Sequence, residues 1–209
     1  MGRNSGGVVN ISSGGAGSKN AHIVIQAVQK SRPLSDIKDK STYNEIFRGV
    51  SRFESVMGVR EKSVKMADLT AMNALGVTYI KGDGKSNGIL LNSTFFDRKK
   101  SAIENDVRTK HYDTGFKNKT NAPLQHTITH ELAHATWNAS MQTTNAKAAG
   151  KEITALYHRF LGDKKKKGYG SYGKTNVSEF WAEAVTKAIH GTADKYTKRV
   201  KNIARKYKL

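Results

Sequence analysis

The sequence predicts an α+β fold, mostly helical, with a small β-sheet and one helix that carries the chemistry. Three observations predict it. Apolar residues recur at three- and four-residue spacing in several segments bounded by capping residues and glycines. Two β-rich runs, Val77-Thr78-Tyr79-Ile80 and Ile89 to Phe95, flank a loop rich in Gly, Asp, Asn and Ser, and together read as a hairpin. Residues 130–134 read His130-Glu131-Leu132-Ala133-His134, an H-E-x-x-H pattern inside a stretch of helical character.

At 209 residues the chain fits one domain that can bury a sizeable core, preceded by an arm. Residues 1–20 hold six Gly and four Ser and read as a flexible arm, although Val8, Val9 and Ile11 could add a short strand to a neighbour. Residues 21–209 form the domain. There is no cysteine, so neither a disulfide framework nor a thiolate-held metal is possible. No apolar run approaches the roughly 18 residues that span a bilayer. The first 20 residues lack the apolar core of a signal peptide, so the expectation is a protein that is cytoplasmic at synthesis.

Residues 20–29, with Ile23, Val24, Ile25 and Val28, fit a short strand or a helix equally well. The Pro33 region breaks that element. Residues 42–57 read as a helix: Thr42 followed by Glu45 is a capping-box pattern, Ile46, Phe47, Val50, Phe53 and Met57 recur at helical spacing, and Gly58 stops it. A second helix is expected over 62–75, ended by Gly76. The hairpin follows, and Leu90 to Phe95 reads either as a rim strand that pairs with an extended peptide or as an ordinary buried strand. Residues 97–122 read as a loop with a short helix, and Pro123 suits the first turn of a helix over 124–140. His111 and His126 are set aside as lacking ligand spacing to the motif. Helices are expected over 146–161, ended by Gly162, and over 176–190, with Asn176 as N-cap. Between them lie a four-lysine run, 164–167, and a mobile Gly/Tyr-rich stretch, 168–173.

The motif has a physical rationale. Four residues turn a helix about 400°, so His130 and His134 lie one above the other on one face. Two imidazoles one turn apart can bind a single Zn²⁺ at about 2.0–2.1 Å each. Glu131 lies about 100° round the helix, where it can lean over the open coordination position and take a proton from water. With 7 His and 8 Glu in the chain, the pattern arises by chance in roughly one such sequence in a hundred. The bland alternative is a helix with two satisfied histidines and a surface glutamate. A catalytic zinc commonly takes three protein ligands. With no cysteine, a downstream carboxylate is the economical third, and Glu179 and Glu183 share one helix face. One can bind the metal while the other accepts the outer N–H of a ligand histidine.

The motif and the later run Ser171-Tyr172-Gly173-Lys174-Thr175-Asn176-Val177-Ser178-Glu179-Phe180-Trp181-Ala182-Glu183-Ala184 resemble the catalytic domain of anthrax lethal factor and its relatives, gluzincin metallopeptidases with a thermolysin-like site. The similarity runs from about residue 124 to 194, a third of the chain. The resemblance implies a zincin-like metallopeptidase domain over 21–209, its active-site core spanning about 87–194. It implies zinc held by His130, His134 and Glu179, with Glu131 as general base. It further implies that Glu183 braces a ligand histidine and that Tyr172 donates to the developing oxyanion. The implied activity is zinc-dependent hydrolysis of peptide bonds in a polypeptide substrate.

Charge is the other main feature. Lys and Arg outnumber Asp and Glu 36 to 17, giving +19 and a pI near 10. A basic C-terminal helix is expected over about 193–209, with seven Lys/Arg and no acid over 195–208. Val200, Ile203 and Tyr207 give it an apolar stripe. That helix could contact nucleic acid or another polyanion, or simply pack by its stripe. Two further readings follow: a basic bacteriophage virion or nucleic-acid-associated protein with a secondary zincin site, and a toxin effector delivered into a host cell by partner chains.

Overall fold

The structure is a computed structural model that describes residues 8–11, 19–58, 63–81, 86–140, 145–166 and 168–209. The fold is α+β and mostly helical, as the sequence predicts. Five strands form one mixed sheet in the order β1-β4-β5-β3-β2: β1 Val8–Ile11, β2 Arg32–Pro33, β3 Val64–Ala67, β4 Gly76–Lys81 and β5 Ser86–Asn92. The expected hairpin is β4 and β5, which pair antiparallel with Val77 opposite Leu90. Helix α1 (Lys19–Gln29) resolves the ambiguous segment as helical. Part of the expected arm, β1, pairs in parallel with β4, and residues 19–20 begin α1; residues 1–7 and 12–18 lie outside the described residues.

Alternation along β5 explains the layering. Ile89 and Leu91 join the main core, whereas Leu90 joins a smaller cluster with Val24 and Ala27 of α1. Successive strand side chains point to opposite faces, so the sheet is covered by α1 on one side and by the helical body on the other. That burial decides another expectation. β5 is paired on both edges, by β4 and by β3, so it has no free edge on which to add a substrate strand. The rim-strand role expected for Leu90 to Phe95 is therefore not available to it. Phe95 itself lies in a short helix, α3 (Ser93–Phe96), whose cap is the Asn92 side chain accepting from the Thr94 N–H.

The helix expected over 62–75 is instead β3 followed by a 3₁₀ turn, Thr70–Met72. Met66 sits opposite Leu91 and is fully buried, so sheet pairing outweighs helix propensity here. Helix α2 (Lys40–Met57) begins earlier than its capping-box pattern predicts. Asp39 is the N-cap and accepts from the Thr42 N–H at 2.9 Å, while Phe47 faces solvent. The short helix expected within 97–122 is α4 (Lys100–Val107), continued by a π-helical turn, Arg108–Tyr112.

The helical body is built on α5 (Pro123–Ser140), which packs against α2, α7 (Val177–His190) and the sheet. Helix α6 (Ala146–Gly162) and helix α8 (Lys195–Tyr207) close it. In α8, Val200 and Ile203 are buried in the core and Tyr207 packs partly against it, so the apolar stripe does pack. Among the described residues, no helix is long and apolar enough to cross a membrane.

Trp181 pins α7 to α5. Its side chain is fully buried, and Nε1 donates to the Ala133 carbonyl at 3.1 Å and to Thr136 Oγ1 at 3.0 Å. Trp181→Ala removes both bonds and opens a cavity. Urea denaturation is expected to show a loss of about 3–5 kcal/mol; a loss below about 1 kcal/mol would contradict this packing.

Candidate metal centre

Helices α5 and α7 bring four sequence-predicted residues into one buried seam. His130 and His134 project from α5 one turn apart, and Glu179 and Glu183 from α7 likewise. Asn176 starts α7 as expected, its side chain accepting from the Glu179 N–H at 2.9 Å, which sets Glu179 in the first turn. The alternation of apolar and polar residues on α7 places Phe180 and Ala184 in the core while both glutamates face α5.

His130 Nε2, His134 Nε2 and Glu179 Oε2 form a triangle whose three edges are each 3.3 Å. Donors bound at about 2.0–2.1 Å with tetrahedral angles lie about 3.3–3.4 Å apart. The three atoms therefore fit one face of a tetrahedral metal site. Two imidazole nitrogens and one carboxylate oxygen suit a divalent transition-metal ion. Charge points the same way. Glu131, Glu179 and Glu183 are buried; of the two buried lysines among the described residues, Lys187 pairs with Asp194 and Lys117 acts on His130, leaving a formal charge of −2 at the seam when the imidazoles are neutral. A divalent ion would cancel it.

Both histidines of the triangle are held from behind. Glu183 Oε1 lies 3.0 Å from His130 Nδ1, and Glu183 Oε2 accepts from the Asn118 N–H at 3.1 Å. His134 Nδ1 lies 3.0 Å from Ser178 Oγ. Burial would raise the Glu183 carboxyl, but the His126 and His130 rings beside it outweigh burial and hold it well below the usual carboxylate range. Glu179 is held low in the same way by His130 and His134. For His130, burial and the Lys117 ammonium favour the neutral ring, yet Glu179 and Glu183 outweigh them and raise it.

Glu131 is buried, and its Oε1 has no hydrogen-bond partner among the described residues. Its side chain lies over β4. A Cβ on Gly76 would stand 3.0 Å from both Glu131 Cγ and Oε2, so the glycine leaves the room this carboxylate occupies. Tyr172 is brought to the site as well: its ring stacks on His130 at 5.7 Å and on Phe116 at 4.4 Å. The Gly/Tyr-rich stretch before α7, expected to be mobile, is strapped to residues 115–118. Gly170 N–H donates to Asn118 Oδ1, Ser171 N–H to the Gly115 carbonyl and Tyr172 N–H to the Phe116 carbonyl, at 2.8, 3.0 and 2.9 Å. A Cβ on Gly170 would fall 2.2 Å from the Phe116 oxygen, so the strap requires glycine there.

Three residues at the site were not anticipated. Asn118 and Ser178 carry no sequence signal, since polar residues of their kind occur throughout the chain. His126 does carry one. It lies four residues before His130, the same spacing that joins His130 to His134, so its face was legible from helix geometry. With His130 and Glu183 it forms a second buried group that could hold a metal ion. His111 belongs to neither group; it stacks on Phe116, and burial and Lys117 push its ring down to about 4.

No protein-family model, curated protein or solved structure matches this chain.

The triangle predicts a specific response to metal. Zinc at about a hundredfold excess over its dissociation constant should stabilise the fold by about 2.7 kcal/mol, raising the thermal midpoint by about 5–10 °C, and a chelator should reverse the shift. Glu179→Ala should lose most of the effect in a differential scanning experiment. An unshifted wild-type midpoint would contradict the site.

Proposed function

We propose that this chain is a zinc-dependent endopeptidase of the lethal factor-like gluzincin type. The observation that carries the proposal is the buried triangle of His130, His134 and Glu179 with Glu131 on the same helix, whose Oε1 has no hydrogen-bond partner among the described residues. A zinc ion held by that triangle would polarise the scissile carbonyl and acidify a neighbouring water.

The protein's own groups do the rest. Glu131 takes the proton from the attacking water and delivers it to the departing amine nitrogen. Its burial keeps bulk water from satisfying that carboxylate. Tyr172 donates its O–H to the oxygen of the carbonyl under attack, where negative charge develops. Glu183 and Ser178 hold the outer nitrogens of His130 and His134. Because β5 is an interior strand, a polypeptide substrate has to bind without pairing to it.

A second reading rests on a separate observation. Lys198, Lys201 and Arg205 recur along one face of α8, with Lys208 just past its end, and none of the four has an acidic partner among the described residues, whereas Arg199 and Lys206 both pair with Glu152. Such a row suits a polyanion, as a virion or nucleic-acid-associated protein would need. Double-stranded DNA binding that falls steeply with salt, and weakens when these four residues become Gln, would support it; binding insensitive to the four substitutions would remove it.

The peptidase reading makes a sharper prediction. Against a mixed peptide library, Glu131→Gln should lower turnover by about 10²–10⁴-fold with zinc still bound. Tyr172→Phe should lower it by about 10²–10³-fold. Gly76→Val should displace the Glu131 side chain and lower turnover without releasing zinc. Zinc-loaded wild type that cleaves nothing, or Glu131→Gln that cleaves as wild type does, would overturn the assignment.

A further inference from the structure

The proposed centre leaves two buried groups behind it unused. Tyr112 ends the π-helical turn, and His126 lies one helical turn before His130; neither reaches solvent. Tyr112 Oη lies 2.7 Å from His126 Nδ1 and 3.1 Å from Thr120 Oγ1. On the other side of the ring, His126 Nε2 lies 3.7 Å from Glu183 Oε1. That is the same oxygen that stands 3.0 Å from His130 Nδ1. Tyr112, His126, Glu183 and His130 thus form one buried line.

A neutral His126 has two tautomers. With the proton on Nδ1, the ring donates to Tyr112 and turns the Nε2 lone pair toward a buried carboxylate, which is repulsive. With the proton on Nε2, Tyr112 donates its O–H to Nδ1 and an N–H dipole faces the carboxylate. Low local dielectric strengthens the preference for the second arrangement. Glu183 then has an N–H from Asn118 on one oxygen and faces two imidazole N–H groups with the other. At 3.7 Å the His126 contact is electrostatic and not a hydrogen bond. A carboxylate oxygen 3.0 Å from His130 Nδ1 favours the tautomer with the proton on that nitrogen, which turns the His130 Nε2 lone pair toward the triangle.

We infer that Tyr112 and His126 are positioning residues that fix the tautomer of His130 through Glu183 and so set the affinity of the metal centre. The inference rests on the metal reading above, and its test separates the two. Two-bond ¹H–¹⁵N spectra of the metal-free full chain read the His126 tautomer directly. Zinc affinity follows from competition with a chromophoric chelator.

Wild type should show the proton of His126 on Nε2, and Tyr112→Phe should turn this into a mixture. Tyr112→Phe and His126→Phe should each weaken zinc binding by about 10-fold or more. His126→Gln, which keeps an acceptor for Tyr112 and a donor toward Glu183, should restore it, a recovery that a merely space-filling role would not give. Should His126→Phe fail to fold, Tyr112→Phe, which removes one oxygen atom, carries the test. A wild-type proton on Nδ1, or unchanged affinity in folded Tyr112→Phe, overturns the inference. So does a second zinc per chain that is lost with His126, because the ring would then be a ligand. If wild type binds no zinc, the metal reading fails, and the tautomer spectra still decide the relay.

Discussion

Everything at the centre depends on one contact: two carboxylates of α7 set against two imidazoles of α5 inside a buried seam. Groups of this kind are costly to bury unless they are paired or bind a metal. The fold meets that cost by rigid means. Trp181 bonds α7 to the backbone of α5 directly behind the seam. The Asn176 cap fixes where α7 begins, and hence the rotation of Glu179 and Glu183 about its axis. A change in either would misplace donors whose mutual spacing of 3.3 Å leaves little tolerance.

The surroundings serve the same contact. The strap at 115–118 performs two tasks with few residues. Its Asn118 grips both the Glu183 carboxylate and the Glu183 carbonyl, and accepts from Gly170, while Phe116 holds the Tyr172 backbone and stacks on its ring. Tyr172 is therefore tied to the same loop that fixes Glu183. On the opposite side, β4 approaches α5 so closely at Gly76 that a Cβ there would press on the Glu131 side chain. The sheet acts less as a substrate platform than as a wall that locates one carboxylate.

Much of this was legible in the sequence because it is written in local periodicity. The helices follow from three- and four-residue spacing with glycine stops, and the four residues of the seam follow from two i, i+4 pairs. What was not legible depends on distant partners. Met66 reads as part of a helix until Leu91 is placed opposite it. Leu90 to Phe95 reads as an available strand until β3 and β4 occupy both edges of β5. Thr42 resembles a cap, but Asp39 takes the role because its carboxylate also accepts from Thr42 Oγ1 and the Lys100 N–H. Asn118 acquires its role only through residues about sixty-five positions away. His126 is a different case: its spacing was local, and the signal lay in extending the helix face one turn toward the N-terminus.

The central claim is a single zinc ion held by two imidazoles and one carboxylate. Zinc K-edge X-ray absorption on the zinc-loaded chain tests it most directly. The account predicts one zinc per chain, with nitrogen and oxygen neighbours at about 2.0–2.1 Å and outer-shell scattering from two imidazole rings. Scattering from three imidazoles, or a chain that holds no zinc after loading, would contradict it.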